Sequence, residues 1–495
     1  MSTSTTPALK SRDAIYVDGQ WQSTEDASDR ITVYDSATEE PFLSVAAASE
    51  KDVDRAVGAA RRAFDETDWP RLSAAERGVY LRGIARGILE RADDLTDTWV
   101  RQSGILLRNA TVGVRMASEL YSHYADLAEA FPFEEVRAPA FGQFGVIVKE
   151  PVGVVGAIVP WNGPLRLTAL KVGTALAVGC TVVLKASPEA PGEAYILAEI
   201  AESIGLPPGV LNVVTADRAA SEALVRDPRV DKIAFTGSTV TGRKIAGILA
   251  ERIGRVTLEL GGKSPAVVLD DIDIAKAADI IAAQETYNCG QVCSSLTRVL
   301  IDKRRARDMV DALSERFAAV RVGDPFADTS DMGPLVSATQ LERVNGYISR
   351  AIDDGAKLAA GGGRPAGLER GYFVEPTVFA DVDNESELGQ MEVFGPVLSV
   401  IPVDSEAQAF ETANKTIYGL NAAVFTDDPD RALAAARRIR SGMVSHNSAQ
   451  GGWELGFGGM KQSGLGREGT GPEALLPYLE SKAIAMDARP SGFDS

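Results

Sequence analysis

The 495-residue sequence predicts an α/β protein built on a doubly wound, mostly parallel sheet. Three observations carry this. Apolar runs without polar alternation recur at residues 152–159, 181–185, 210–214, 232–236 and 266–269, the pattern of strands covered on both faces. Helical patterns separate several of them, at 189–204 and 239–253. The alternation resumes beyond Cys293, with strand-like stretches at 297–301 and 397–402 and helix-like ones near 340–354 and 429–440.

Other elements have local reasons. Ser73-Ala-Ala-Glu76 is a capping box and opens a helix expected to run to about residue 95. Gly361-Gly-Gly-Arg-Pro365 reads as a loop tip. Residues 478–487 are strand-like and are expected to pair with another element or with a second subunit. Residues 1–13 are rich in Ser and Thr with no apolar block, so they read as a short tail and not as a secretory signal.

Composition excludes several function classes. The longest clean apolar run, 152–159, is far shorter than the roughly 20 residues a membrane-spanning helix needs. A net charge of −18 (51 basic minus 69 acidic residues) argues against nucleic acid as a partner, which wants a basic surface. Cys180, Cys289 and Cys293 are too few for a disulfide framework and suit a reducing cytoplasm. His123 and His446 stand in no metal-ligand spacing, so neither a histidine metal site nor a Ser/His/Asp triad is expected.

The chemistry-bearing residues each admit two readings. Phe235-Thr-Gly-Ser-Thr-Val-Thr-Gly242 joins a strand to a helix; it is either an anion site made of backbone N–H groups or a plain turn. Lys185 ends a buried strand, where it meets a ribose or phosphate or simply snorkels to water. Cys293, flanked by Gly, Gln and Ser, is either a nucleophile or an inert buried thiol. Cys180 reads as inert. Cys289 would share a face with Cys293 if the segment were helical, and reads as packing. Glu259 stands between two leucines before Gly-Gly, where burial would raise its pKa and suit it to general-base work. Glu392 also sits among apolar residues. Both carboxylates are equally readable as ordinary half-buried acids.

Seven motifs in register resolve these readings. Pro160-Trp161-Asn162, Lys185, the Phe-Thr-Gly-Ser turn, Glu259-Leu-Gly-Gly-Lys263, Gly290-Gln-Val-Cys293, Glu392-Val-Phe-Gly-Pro396 and Lys461-Gln-Ser-Gly-Leu-Gly-Arg-Glu468 together resemble the aldehyde dehydrogenase superfamily. The resemblance runs from Tyr16-Val-Asp-Gly-Gln-Trp21 to Tyr478-Leu-Glu-Ser-Lys482. It implies a Rossmann-like cofactor domain (1–131 and 151–261), a catalytic α/β domain (262–463) and a bridging β-segment (132–150 and 478–495) that joins subunits into a homodimer or homotetramer.

The resemblance also implies roles. Cys293 is the nucleophile, Asn162 and the Cys293 N–H hold the oxyanion, and Glu259 activates the water that releases the acid. Lys171 stands near this centre. Val159, Pro160, Trp161, Lys185, Ser187, Gly237, Ser238, Glu259, Leu260, Glu392 and Phe394 form the cofactor set: Lys185 on the adenine ribose, Gly237 and Ser238 at the pyrophosphate, Glu392 on the nicotinamide ribose. The substrate is a small-molecule aldehyde. Glu259 favours release by water over transfer to coenzyme A, the alternative within the superfamily; a non-catalytic binding protein on the same fold is the remote alternative, and the presence of Cys293, Asn162 and Glu259 argues against it.

Three departures from the family pattern set further expectations. Pro188 replaces the usual acid after the Lys185 strand, so NAD is expected as cofactor with NADP tolerance left open. Gly163 replaces a common Phe and Leu170 a common Trp, which opens the tunnel formed with Leu167, Tyr287, Val292, Ser294, Trp453 and Phe457; a medium or large apolar aldehyde, aliphatic, aromatic or terpenoid, is expected. Gly456-Phe-Gly-Gly459 and Ala216-Asp217 alter loops only.

Overall fold

The computed structural model describes residues 12–449 and 451–493. The tail expected at the N-terminus falls almost wholly outside them, and so does the side chain of Trp453. Two large sheets dominate. The first has eight strands, in the order Gly464–Leu465, Arg255–Glu259, Lys232–Thr236, Val154–Ile158, Thr181–Ala186, Leu211–Thr215, Ala14–Val17, Gln20–Ser23. Its middle five strands are parallel. Antiparallel strands close both edges.

The unbroken apolar runs explain the burial. Val155, Ala157, Val182, Leu184 and Ala234 face one core, beneath helices Ala74–Glu90, Leu107–Ala130 and Gly192–Ser203. Val154, Ile158, Val183, Ile233 and Phe235 face the other, beneath Glu50–Glu66, Arg218–Arg226 and Thr239–Ala250. Alternate side chains of one strand thus enter two cores, which a strand exposed on one face could not afford.

Ser73 and Glu76 close the capping box reciprocally. The helix they open stops at Glu90, however, and a second begins at Ala92, so the expected single helix to residue 95 breaks at Arg91. Arg91 has left helical geometry (φ −107°, ψ 20°), and its guanidinium is held by Asp94 and Glu199.

The second sheet has seven strands, in the order Lys357–Ala360, Thr377–Ala380, Val397–Val403, Arg298–Asp302, Pro265–Val268, Ala423–Phe425, Ser445–His446. It is parallel except at the Lys357–Ala360 edge. The strand-like stretch near 478–487 is Leu479–Met486, paired antiparallel with Phe144–Pro151, which also pairs with Glu134–Val136. No helix among the described residues is long and apolar enough to cross a membrane.

Candidate active site

Strand order places the site. The parallel part of the first sheet begins at Val154–Ile158 and adds Thr181–Ala186 and Leu211–Thr215 on one side. The chain then crosses back to lay Lys232–Thr236 and Arg255–Glu259 on the other. The order reverses between Ile158 and Thr236, and open α/β sheets bind ligands at the carboxyl ends of strands around such a reversal. Val159, Pro160, Trp161 and Asn162 leave one of these strand ends; Gly237 and Ser238 leave the other.

The turn after Thr236 differs from the simplest reading of its sequence. The Gly237 N–H donates to the Glu259 carbonyl at 3.0 Å, and so ties two strand ends together instead of facing an anion. Ser238 caps the helix Thr239–Ala250 by accepting from the Thr241 N–H. What remains for an anion is the first turn of that helix, whose N–H groups lack intrahelical partners.

Lys185 is half-buried at the end of its strand and makes no ion pair among the described residues. Burial draws its ammonium down to about 8, while the carboxylates of Glu189 and Asp217 act the other way. With proline at 188, the acid has moved one place on: the buried Ser187 hydroxyl donates to Glu189. Trp161 and Phe394 meet edge to face, with centroids 5.3 Å apart. Leu260 is buried and donates its N–H to the Ser463 carbonyl at 2.9 Å. A half-buried cation in no ion pair among the described residues, a helix N-terminus and an aromatic pair fit a dinucleotide.

The nucleophile loop is not helical, so Cys289 does not share a face with Cys293. Asn288 (φ 49°) and Cys289 (φ 55°) are left-handed and turn the chain sharply before Gln291. Gln291 is buried; its Oε1 accepts from the Val336 N–H at 2.9 Å and its Nε2 donates to the Asn288 carbonyl at 3.0 Å. The Asn162 amide donates to the Gln291 carbonyl at 2.9 Å, and the Asn288 amide donates to the Asn162 carbonyl at 3.1 Å. These two bonds lash the Asn162 segment to the loop two residues before Cys293. One N–H of the Asn162 amide remains for another acceptor.

Cys293 is half-buried, whereas Cys180 and Cys289 are fully enclosed. Burial, then the charges of Glu392 and Glu259, push its thiol up to about 12. Glu392 is anchored by the Gly262 N–H at 2.9 Å, and burial pushes its own carboxyl up to about 7. Gly262 is forced by proximity: a Cβ there would stand 2.3 Å from the Cys293 carbonyl oxygen.

Glu259 is buried, and neither of its oxygens makes a hydrogen bond of normal geometry. Burial, then repulsion from Glu468, raises its carboxyl well above the ordinary range; Lys171 and Arg467 oppose this. Glu468 is itself held by Lys171 at 2.5 Å, with both side chains buried. Gly458 (φ 158°) passes so close that a Cβ would lie 2.9 Å from Glu259 Oε1.

The expected tunnel residues scatter more. Gly163 leaves real space, since a Cβ there would meet nothing nearer than Leu167 at 3.8 Å. Leu167 and Val292 are half-buried, and Tyr287 is partly exposed. Phe457 is buried and exchanges two backbone hydrogen bonds with Glu468. Ser294 is buried, its carbonyl accepting from Asn421. Leu170 lies fully inside the first core.

The sequence reading missed four residues. Asn288 and Gln291 flank the Gly of a motif it used only for the cysteine. Glu468 closes another quoted motif, and only its neighbours reveal its weight. Arg166 gave no signal at all; it is half-buried, with Tyr287, Cys293 and Tyr124 acting on its guanidinium.

Comparison with known proteins agrees with this arrangement. The family model described as "Aldehyde dehydrogenase family" matches residues 21–484. A geranial dehydrogenase of Castellaniella defragrans is 41% identical over 473 residues, covering 95% of this chain and 98% of that protein. The crystal structure of a Mycobacterium tuberculosis aldehyde dehydrogenase complexed with NAD+ superposes with a TM-score of 0.94 at 38% identity, covering 98% of this chain and all (100%) of the other. A mutant of aldehyde dehydrogenase C from Pseudomonas syringae, complexed with NAD+ and octanal, superposes at 0.93 with 37% identity and 99% of both chains covered. With its strand order, its cysteine loop and its buried glutamate, this chain belongs to the aldehyde dehydrogenase family.

Proposed function

We propose that the protein oxidises a medium or large apolar aldehyde to its carboxylic acid, with NAD as the electron acceptor and water as the acyl acceptor. What supports this is that the Asn162 amide is tied to the Gln291 carbonyl, two residues before Cys293, and that the charge of Glu259 acts on the Cys293 thiol. NAD, when bound, takes up two electrons and the hydrogen of the aldehyde carbon.

The chain's own residues do the rest. Cys293 passes its proton to Glu259, which hands it on to solvent, and its sulfur bonds to the aldehyde carbon as the carbonyl π pair moves onto oxygen. The oxygen that gains charge accepts from the free N–H of Asn162 and from the Cys293 N–H. Once a thioester remains on Cys293, Glu259 takes a proton from water, and that water displaces the sulfur. A buried carboxylate with unbonded oxygens suits this, because burial raises its basicity. Water release, not coenzyme A, is the reading that uses Glu259.

The apolar substrate is supported by the space at Gly163 and by the half-buried Leu167 and Val292. Geranial and octanal, named with two of the related proteins, are aldehydes of this kind. Arg166 favours a second reading, an aldehyde whose far end carries an acceptor or anionic group. The cofactor set supports NAD: Glu189 and Asp217 place negative charge around Lys185, where a 2′-phosphate would be repelled. A cytoplasmic homodimer or homotetramer completes the proposal. The exposed strand Leu479–Met486, carrying Ile484 and Met486 at its surface, is the segment suited to pairing between subunits.

The test is growth of NADH absorbance over short, long, aromatic, terpenoid and carboxylate-bearing aldehydes, with NAD and with NADP. Highest kcat/KM is expected for a large apolar aldehyde with NAD, and none for Cys293→Ala. A maximum at acetaldehyde would sink the substrate assignment, and a strict need for coenzyme A would sink the hydrolytic one. Preference for the carboxylate-bearing aldehyde would select the second reading.

A further inference from the structure

The segment that carries the Asn162 amide is held by its backbone. Ser103 Oγ donates to the Trp161 carbonyl at 3.0 Å, and Asn288 Nδ2 donates to the Asn162 carbonyl at 3.1 Å. Two consecutive carbonyls are thus fixed from opposite directions along the chain: Ser103 lies 58 residues before Trp161, and Asn288 lies 126 residues after Asn162. Both side chains are buried, Ser103 completely (0% exposed). The Asn162 amide on the Gln291 carbonyl is the third bond of the set.

The residue that follows gives these bonds their weight. Gly163 has no side chain to wedge the segment, and a Cβ there would meet nothing nearer than Leu167 at 3.8 Å. Its backbone is non-helical (φ −157°, ψ 54°), and the helix Pro164–Thr168 that it precedes has no side-chain cap. A glycine loses more conformational freedom on ordering than any other residue. Packing at Gly163 does nothing to set where Asn162 points, so the task falls to the hydrogen bonds before it.

Ser103 is itself placed by a close junction. It is the last residue of the helix Ala92–Ser103, which ends on Gly104 in the left-handed region (φ 73°), with the Gly104 N–H on the Val100 carbonyl. There Gly104 meets the segment at Gly333 backbone to backbone. A Cβ on Gly104 would lie 2.5 Å from the Pro334 carbonyl oxygen, and one on Gly333 would run into the Gly104 carbonyl oxygen. Just beyond, the Val336 N–H donates to Gln291 Oε1 at 2.9 Å. The end of one helix therefore bears on both partners of the Asn162–Gln291 tie. It reaches the Trp161–Asn162 segment through Ser103 and the cysteine loop through residues 333–336.

We propose that Ser103 is a positioning residue for the oxyanion donor: by holding the Trp161 carbonyl it fixes, together with Asn288, the peptide from which the Asn162 amide reaches the reacting oxygen. Its hydroxyl hydrogen is taken by a backbone carbonyl, and it acts through Asn162. A misplacement of about 1 Å at such a group costs on the order of a hundredfold in rate. Loss of an oxyanion donor costs about a hundred- to a thousandfold. The inference rests on the reading of Asn162 as oxyanion donor above.

4-Nitrophenyl acetate tests this without cofactor or aldehyde. The Cys293 thiolate adds to the ester carbonyl, charge gathers on the carbonyl oxygen, and 4-nitrophenolate leaves as the thioester forms. The rate is read as 4-nitrophenolate absorbance, less that of Cys293→Ala. Asn162→Ala should slow release by about a hundredfold. If Asn162→Ala kept the wild-type rate, the reading of Asn162 would fall, and the proposal with it. Given an Asn162-dependent rate, Ser103→Ala should slow release by about tenfold. Added to Asn162→Ala, the same change should slow it no further, because the two residues act as one unit. Alkylation of Cys293 by iodoacetamide builds no charge on a carbonyl oxygen and should be unchanged in Ser103→Ala.

A wild-type rate in Ser103→Ala overturns the proposal. So do losses that multiply in the double variant, or alkylation slowed together with release, since either marks a general disturbance of the loop and not a misplaced donor. Should Ser103→Ala fail to fold, Ser103→Cys keeps the size and leaves a weaker donor. A smaller loss, again absent in the Asn162→Ala background, is then expected, and an unchanged rate overturns the proposal equally.

Discussion

Lys171 and Glu468 form an ion pair at 2.5 Å with neither side chain accessible to water, and Glu468 in turn repels the carboxylate of Glu259. The pair is therefore both a structural tie and part of the electrostatics of the base. Glu468→Gln should leave the Lys171 charge buried and uncompensated, at a cost of about 3–5 kcal/mol in unfolding free energy. The same change removes repulsion from Glu259, so whatever activity remains should keep its acid limb at lower pH than the wild type. Urea denaturation and a pH–rate profile measure the two effects separately; an unaltered stability would mean that the pair is not closed in solution.

The Cys293 thiol, pushed up to about 12, should be almost wholly protonated in the free protein at neutral pH. Alkylation by iodoacetamide follows the thiolate, so it should be slow at pH 7 and accelerate with rising pH. Glu392→Gln removes the larger of the two carboxylate contributions and should speed alkylation by up to about tenfold at fixed pH. Arg166→Leu removes a cation acting with Cys293 and should slow it. Mass spectrometry of the labelled peptide gives the rates, and equal rates in all three proteins would refute the assignment of these charges.

Asp217 acts on the Lys185 ammonium and also caps the helix Arg218–Arg226, accepting the Ala220 N–H at 2.9 Å. Asparagine keeps the cap and removes the charge. Asp217→Asn should therefore leave stability nearly unchanged and raise the NADP-to-NAD ratio of kcat/KM by about five- to tenfold, the scale of one partly screened charge. A ratio identical to that of the wild type would show that Pro188 alone governs the ribose pocket.

Glu193 is buried against Gln102, and burial pushes its carboxyl up from 4.5 to about 8. The folded state keeps a proton that the unfolded chain releases. The stability this represents is fully present below about pH 4.5 and is lost as pH rises towards 8. Glu193→Gln retains an acceptor for the Gln102 amide and removes the titration. Its Tm should match the wild type in acid and exceed it above neutrality, where the stability difference should reach about 3–5 kcal/mol. A Tm difference that does not depend on pH would contradict this origin.

Much of the architecture was legible locally. Strand-like 232–236 coincides with Lys232–Thr236, because an apolar run between turn residues has one good fate in a covered sheet. Ser73 and Glu76 announce their helix because the capping box closes within one turn. The break at Arg91 was not legible: the residues around it favour helix, and of the two carboxylates that hold its guanidinium, Asp94 is local but Glu199 lies 108 positions away.

For the site, the resemblance carried by seven motifs in register singled out Cys293, Asn162 and Glu259; read one by one, Cys293 and Glu259 each admitted an inert reading. The sequence alone determined that these groups exist, and that the molecule is an α/β protein with a cysteine loop and a buried acid. Only the tertiary structure decided what surrounds them: the Asn162–Gln291 tie, and the buried ion pair of Lys171 with Glu468, whose charge acts on Glu259. The physical reason is range. Strands, caps and turns answer to neighbours a few residues off. The charge state of a buried group answers to everything within several ångströms, and the fold draws those neighbours from segments more than a hundred residues apart.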